Sequence, residues 1–191
     1  MATVFLALTQ GGQQAFKKLV VVKLLRLDLA EDESFVQMFH DEAALLAQLN
    51  HPNVVQTYEV GIDQGRHYIA MEWLEGQPFE LIRRANNVAT LFPLEMQLQM
   101  LVGMLSGLHY AHELTDYDST PLGIIHRDVT PSNVIITYDG QVKLVDFGIA
   151  KIADSLHHTQ AGALKGKIRY LSPEQISKQA IDRRADIYST G

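Results

Sequence analysis

Residues 126–148 read HRDVTPSNVIITYDGQVKLVDFG. Two runs rich in β-branched residues, 134–137 and 142–145, flank a polar segment that contains Asp139 and Gly140. Asp-Gly between apolar runs is a strong β-hairpin signal, because a type I′ turn needs positive φ at both central residues. The stretch therefore predicts two antiparallel strands joined by a tight turn.

The register of this hairpin predicts where the polar residues at its ends lie. If Asp139-Gly140 is the turn, Asn133 lies opposite Asp146, and directly opposed side chains share one sheet face at about 5 Å. An amide oxygen and a carboxylate at one point suit Mg²⁺, which prefers oxygen ligands. Asp128, on the loop that enters the hairpin, is a candidate base for the proton of an attacking hydroxyl. Together these residues predict phosphoryl transfer.

Several motifs of the chain belong to one known set. They are HRD with a downstream Asn, DFG and SPE, at His126–Asp128, Asn133, Asp146–Gly148 and Ser172–Glu174. The set resembles the protein-kinase signatures, and nearly the whole chain resembles bacterial serine/threonine protein kinases of the eukaryotic-like, Hanks type. The resemblance implies an α+β, two-lobe fold with a β-rich N-lobe at 1–73 and a helical C-lobe at 74–191. It also implies ATP and Mg²⁺ as cofactors and a protein substrate with Ser or Thr.

Composition limits the function classes. An apolar fraction of 47% in 191 residues supports a real core, and a net charge of −6 argues against a general nucleic-acid binder. The chain has no cysteine, which excludes disulfides and thiolate metal sites. No apolar run reaches the roughly 18 residues of a membrane span, and the N-terminus does not resemble a signal peptide. We therefore expect a soluble, cytoplasmic protein; the sequence indicates no oligomeric state.

The apolar pattern predicts mainly strands in the first third of the chain and helices later, which is typical of α+β folds. Strands are predicted at 2–8, 19–25, 54–60 and 67–72, and helices from Asp32 or Ser34 to about Leu49, from Pro93 onward, and at Ser172–Glu174. The first long helix has a predicted stripe at Phe35, Met38, Glu42, Leu45 and Leu49, and the second at Leu94, Leu98, Leu101, Leu105 and Leu108.

A lysine and a glutamate interrupt these apolar patterns. Lys23 lies in an otherwise apolar strand, and Glu42 lies on the stripe of the following helix. Charges at core-facing positions need a partner, although a snorkelling lysine and a helix-edge glutamate would also explain the pattern. The resemblance implies instead that Lys23 holds the α- and β-phosphates and that Glu42 orients it.

The resemblance also implies the remaining parts of a nucleotide pocket. They are Val4 over the adenine, Val21 in place of the usual alanine, Met71 as the gatekeeper, and backbone groups of Glu72 and Leu74. Ordinary core packing is the alternative for each. Asp186 resembles the aspartate that braces the catalytic loop, whereas His109 and His112 are interpreted as packed or solvated histidines.

Several features depart from the family pattern. We expect the Gly-rich loop, the first N-lobe strand and the last C-lobe helices to be missing from this sequence. Thr130 stands where a lysine usually reaches the γ-phosphate, and Lys167 stands where the usual threonine lies. We hypothesise that Lys167 supplies the cation that Thr130 lacks, because the transferring phosphoryl group needs positive groups around it. A solvated loop lysine is the alternative.

Regulation and activity leave further alternatives open. Arg127 resembles the arginine that binds a phosphate on the segment 149–171, where Ser155 and Thr159 are the candidate acceptors. The favoured function is a protein serine/threonine kinase. A nucleotide-binding pseudokinase or scaffold, or an inactive truncated fragment, are the competing interpretations.

Overall fold

The protein folds as two compact units, each built from strands and helices. A computed structural model describes residues 2–11, 16–85, 93–147 and 168–191, without the side chains of residues 10, 11, 16 and 42. One unit consists of Met1–Asn50 with Val55–Leu74, and the other of His51–Val54 with Glu75–Gly191. The predicted α+β class is confirmed.

The first unit is a four-stranded antiparallel sheet with one long helix. Its elements are β1 (Ala2–Gly11), β2 (Phe16–Leu25), α1 (Glu33–Leu46), β3 (Thr57–Asp63) and β4 (Arg66–Glu72), with a 3₁₀ turn at Leu27–Leu29. The strand order is β1-β2-β4-β3. The β3–β4 hairpin turns at Gln64 and Gly65, whose φ angles of 46° and 75° are both positive, as a type I′ turn requires.

Local hydrogen bonding explains where α1 begins. The Asp32 side chain accepts from the Ser34 N–H at 2.9 Å, and this bond satisfies one of the free donors of the first helical turn. Of the two predicted starts, Asp32 and Ser34, it is therefore Asp32 that caps the helix, but α1 ends at Leu46 rather than near Leu49.

The core of the first unit lies between α1 and the sheet. Phe39 and Ala43 of α1 pack with Leu25 of β2 and Ile69 of β4, and all four are buried. The predicted stripe is confirmed only at Leu49, which is buried but lies beyond the end of α1. Phe35, Met38 and Leu45 are only partly buried. The buried face includes Phe39, Ala43 and Leu46, because it is the contact with the sheet, rather than the richest apolar spacing, that selects it.

The second unit contains a three-stranded antiparallel sheet in the order β5-β6-β7. Its elements are β5 (Gly76–Pro78), α2 (Phe79–Ala85), α3 (Leu94–Glu113), β6 (Val134–Thr137), β7 (Val142–Leu144), α4 (Pro173–Ile176) and α5 (Arg184–Thr190), with 3₁₀ turns at Pro131–Asn133 and Ile168–Tyr170. In the part of the chain that the structure describes, no helix combines the length and the apolar character needed to cross a membrane.

Small residues determine which face of α3 packs on β7. A Cβ at Gly107 would lie 2.9 Å from the Asn53 carbonyl oxygen, so only glycine permits this approach. The buried positions of α3 are Met100, Gly107, Leu108 and Ala111. The predicted leucine stripe was therefore wrong except at Leu108; Leu94 and Leu98 are 69% and 50% exposed.

Residues His51–Val54 dock on β7, which explains why they group with the second unit. Val54 forms a parallel bridge with Leu144, and the Leu144 N–H donates to the Asn53 carbonyl at 2.8 Å. The Asn53 amide donates to the Val142 carbonyl at 2.8 Å. The predicted strand 54–60 was thus wrong in its start, since β3 begins at Thr57.

The hairpin of β6 and β7 forms as predicted, but its register differs by one residue. Val134 pairs with Leu144 and Ile136 with Val142. The loop is longer than two residues because the Thr137 hydroxyl accepts from the Gln141 N–H at 2.9 Å and Gly140 takes a φ of 86°. The predicted opposition of Asn133 and Asp146 was therefore wrong.

Candidate active site

A buried aspartate holds the backbone at the start of the catalytic loop, defined here as His126–Asn133. Asp186 of α5 is fully buried. Its carboxylate accepts from the backbone N–H of His126 at 2.8 Å and from that of Arg127 at 2.7 Å. His112 of α3 contacts the same carboxylate at 2.8 Å. The bracing contact predicted for Asp186 is confirmed, and His112 is packed rather than solvated.

The candidate base is fixed by the asparagine that follows it. The Asn133 side-chain NH₂ donates to the Asp128 backbone oxygen at 2.9 Å and to its carboxylate at 2.7 Å. Because both partners are acceptors, the orientation of the amide is determined and its oxygen turns away from Asp128. Both side chains are buried. The structure thus joins Asn133 to Asp128, a contact that the sequence did not predict.

Asp146 follows β7 in an uncommon backbone conformation. Its φ is 55°, in the left-handed region that non-glycine residues seldom adopt. The Val145 N–H donates to the Asn133 carbonyl at 3.0 Å, so Val145 rather than Asp146 lies opposite Asn133.

The donors available here still fit a magnesium ion. An amide oxygen from Asn133 and a carboxylate from Asp146 match its preference for few protein oxygens combined with phosphates. Among the described residues, no three His, Cys, Asp or Glu side chains form a metal cluster.

Thr130 and Arg127 of the catalytic loop differ in whether their buried polar atoms have a hydrogen-bond partner among the described residues. The Thr130 hydroxyl is buried and lies 2.8 Å from the Ser132 hydroxyl. Arg127 has a φ of 65°, and its buried Nε has no hydrogen-bond partner among the described residues. Burial lowers the pKa of the Arg127 guanidinium, and the Asp186 carboxylate opposes this shift. The Asp186 carboxylate thus partly offsets the effect of burial on the Arg127 cation.

Four predicted residues of the first unit share one face of its sheet. Val4 pairs with Lys23, and Val21 pairs with Met71. Directly opposed residues, and residues two apart on one strand, point to the same face. Lys23 also pairs with the buried Ile69, so this is the face on which α1 packs. The predicted phosphate and adenine positions therefore lie side by side.

The structure describes fewer contacts for the other predicted residues of this unit, Glu72, Leu74 and Glu42. The Glu72 N–H donates to the Gln56 carbonyl at 2.8 Å, so this N–H is already used within the unit. Leu74 is partly buried. Glu42 lies in α1, but its side chain is outside the described residues, as are Gly148, Ser155, Thr159 and Lys167.

One further contact to the catalytic loop was not predicted. The Gln175 amide of α4 donates to the Arg127 carbonyl at 2.8 Å. Gln175 follows Ser172 by three residues, the spacing of a helix capping box. That spacing identifies its capping contact, but no local pattern links it to a loop 48 residues earlier.

Comparison with known proteins identifies the family. Residues 2–191 match the model described as the protein kinase domain. The chain is 45% identical to the tyrosine-protein kinase MasK of Myxococcus xanthus, covering 100% of this chain and 30% of MasK. It is 43% identical to the probable serine/threonine-protein kinase SCO3848 of Streptomyces coelicolor, covering 90% of this chain and 25% of that protein.

The chain thus spans about a quarter to a third of the length of these curated relatives. A solved structure of the Mycobacterium tuberculosis PknI kinase domain is similar, with a TM-score of 0.68 and 27% identity over 97% of this chain and 64% of that one. The predicted protein-kinase-like fold is confirmed. The chain belongs to the protein kinase domain family.

Proposed function

We propose that this chain is the catalytic part of a protein serine/threonine kinase, which transfers the γ-phosphoryl group of ATP to a Ser or Thr hydroxyl of a protein in the cytoplasm. One observation carries the proposal. The Asp128 carboxylate accepts from Asn133 at 2.7 Å, on a loop whose backbone N–H groups are bound by the buried Asp186. A carboxylate fixed in this way can accept a proton at a defined position.

Each predicted residue has a role in this proposal. Asp128 accepts the proton of the attacking hydroxyl, and Lys23, oriented by Glu42, binds the α- and β-phosphates. Asn133 and Asp146 would hold Mg²⁺, which neutralises phosphate charge when bound. The adenine would contact Val4, Val21, Met71, Glu72 and Leu74.

Two further roles concern charge near the transferred group. Lys167 supplies the cation that Thr130 cannot, because transferring phosphate needs positive groups. A change of Lys167 to Thr is expected to lower kcat, and adding Thr130→Lys is expected to restore it; a harmless single change would exclude the exchange. Arg127 binds a phosphate on Ser155 or Thr159, because a guanidinium pairs strongly with phosphate oxygens, and its Nε has no hydrogen-bond partner among the described residues.

Phosphate transfer from radiolabelled Mg-ATP to peptides with one acceptor hydroxyl tests the function. Asp128→Asn is expected to lower kcat by about 10²–10⁴-fold, because proton transfer loses its acceptor. Asp118→Asn, at an exposed loop position, is the matched control and keeps full activity. Wild-type transfer that Asp128→Asn leaves unchanged would contradict the proposal.

The same assay distinguishes the acceptor classes. The name of MasK, a tyrosine-protein kinase, makes Tyr the specific alternative, whereas Thr130 after the base differs from the Ala or Arg pattern of tyrosine kinases. Parallel peptides with Ser, Thr or Tyr as the sole acceptor decide between them. Transfer to Ser and Thr peptides is expected, and transfer confined to the Tyr peptide would overturn the Ser/Thr assignment.

A nucleotide-binding module without transfer activity is the second candidate. Its distinguishing result is a rise in the melting temperature with Mg-ATP in the absence of any labelled peptide. Lys23→Met is then expected to remove the shift if Lys23 binds phosphates.

A further inference from the structure

A glutamine in α4 reaches from the SPE motif to the catalytic loop. Its side-chain oxygen accepts from the Ser172 N–H at 3.0 Å, while its side-chain NH₂ donates to the Arg127 carbonyl at 2.8 Å. The amide of Gln175 thus uses both ends, one for the start of its own helix and one for the loop. The two functions can be separated chemically, since only the second needs a donor.

The carbonyl that Gln175 binds belongs to the peptide unit that carries the candidate base. The Arg127 C=O and the Asp128 N–H lie in one planar peptide group. The N–H side of this group makes a longer bond, 3.3 Å, to the His126 ring. The preceding peptide group, which carries the Arg127 N–H, is held by Asp186 at 2.7 Å. Gln175 and Asp186 therefore fix the two peptide planes on either side of Arg127.

Arg127 has particular need of such restraint. Its φ of 65° lies in the left-handed region, which side-chain-bearing residues avoid unless the surroundings determine it. Rotation of the 127–128 peptide plane toward a relaxed conformation would turn the Cα–Cβ bond of Asp128. A hydrogen bond to the Arg127 carbonyl opposes this rotation directly.

We propose that Gln175 is a positioning residue for the phosphoryl transfer, which orients Asp128 by holding the carbonyl of the 127–128 peptide. This inference rests on the proposed function, since it assigns Asp128 as the base. It also makes the orientation of the base depend on the docking of the SPE helix, because the bridging side chain belongs to that helix.

Two substitutions separate bridging from capping. Gln175→Glu keeps an oxygen that accepts from the Ser172 N–H, and glutamate is a standard residue at this capping-box position. It removes the donor and places a carboxylate against the Arg127 carbonyl. Ser172→Ala removes the hydroxyl that accepts from the Gln175 N–H at 3.4 Å, but it leaves the bridge to Arg127. Gln179→Glu, at an exposed position, controls for the added charge.

Kinetics of peptide phosphorylation and residue-level hydrogen exchange then test the inference. Gln175→Glu is expected to lower kcat about tenfold or more relative to Gln179→Glu, with KM for ATP within about twofold, since misplacement of a reacting group acts on the chemical step. Ser172→Ala is expected to lower the melting temperature while keeping kcat within about threefold. The Asp128 amide is expected to exchange faster in Gln175→Glu than in Ser172→Ala.

Several results would overturn the inference. They are retention of kcat in Gln175→Glu, a loss of kcat with wild-type exchange at the Asp128 amide, and equal losses in Gln175→Glu and Ser172→Ala, which would indicate helix stability alone. If the wild-type chain transfers no phosphate, the proposed function fails separately. Exchange at the Asp128 amide then decides by itself whether Gln175 holds the peptide.

Discussion

The catalytic loop and the sheet of the first unit hold their backbones in opposite ways. In the sheet, strands bond to one another along long ladders, such as the ten-residue pairing of β1 with β2. In the loop, side chains of Asp186, Gln175 and Asn133 bind the backbone groups of residues 126–128. Backbone polar groups must be satisfied in both places, but only the loop depends on particular side chains for it.

Burial shows the same contrast. Asp128, Asn133 and Asp186 are buried polar residues, whereas Leu6 and Leu8 of β1 are apolar and about half exposed. A buried polar group that loses its partner keeps the full cost of desolvation. Replacement of an exposed side chain on a strand changes the free energy of unfolding little, because no buried group loses a partner. Substitutions in the catalytic loop should therefore lower the free energy of unfolding far more than substitutions of exposed residues on β1.

Removal of Asp186 should give the largest effect on stability. Asp186→Ala leaves three donors without their acceptor, at about 1–3 kcal/mol each, so we expect the free energy of unfolding to fall by about 4–6 kcal/mol. Asp186→Asn keeps one acceptor and should lose less. Urea unfolding followed by far-UV circular dichroism measures both. Asp182→Ala, an exposed carboxylate, is the control, and equal losses at positions 182 and 186 would contradict the contrast.

A buried and an exposed leucine of the first sheet allow the same comparison of unfolding free energies. Leu25 of β2 is 1% exposed and Leu8 of β1 is 48% exposed. Leu25→Ala should lower the free energy of unfolding by about 2–4 kcal/mol, because it leaves a cavity. Leu8→Ala should change it by less than about 1 kcal/mol. Fluorescence of the single tryptophan, Trp73, reports unfolding of this unit. Similar losses would mean that β1 is covered in solution.

Local rules explain what the sequence could predict about the fold. The cap at Asp32 bonds to a group two residues away, so a short window contains the whole interaction. The hairpin of β6 and β7 was predicted for the same reason. Its register was not, because the Thr137 hydroxyl binds the Gln141 N–H and lengthens the loop. With this longer loop, Asn133 lies opposite Val145.

Long-range contacts explain what the sequence could not predict about the site. The bond from Gln175 to Arg127 spans 48 residues, and that from His112 to Asp186 spans 74. No spacing rule connects such positions. The role of Asp186 was predicted by family resemblance alone. The stripes of α1 and α3 failed for a related reason, since the partner surface determines which helix face is buried.

Gly76 tests whether a position in a β-sheet can depend on its particular residue as strongly as positions in the catalytic loop do. It lies in β5 opposite Thr137, and a Cβ there would overlap the Ile136 carbonyl oxygen and lie 2.6 Å from the Thr137 Cα. Gly76→Ala should lower the free energy of unfolding by about 1–3 kcal/mol, because the backbone must shift to admit the methyl group. Gln77→Ala, at an exposed neighbouring position, is the control. An unchanged midpoint of urea unfolding for Gly76→Ala would show that the backbone of β5 can shift to admit the methyl group without loss of stability.

Substitution of His51 should have the smallest effect on the free energy of unfolding. His51 lies in His51–Val54, a second segment whose backbone is bound by side chains. Its ring Nδ1 accepts from the Asn53 N–H at 3.1 Å, and the ring stacks on Tyr110 with centroids 5.1 Å apart. Burial, followed by the positive charge of Lys143, lowers the pKa of His51. The unfolded chain therefore binds a proton at higher pH, near its ordinary pKa of about 6.5, than the folded protein does.

It follows that His51 contributes stability above pH ~6.5, and that this contribution is lost as the pH falls through the lowered pKa of the folded state. Because His51→Gln cannot titrate, the difference in unfolding free energy between wild type and variant should shrink from pH 8 to pH 5. Urea midpoints at these two pH values measure it, and His109→Gln at an exposed helix position reports the general effect of the substitution. A difference that grows on acidification would mean that the folded segment accepts the proton readily, so that His51 does not hold Asn53 as a neutral acceptor.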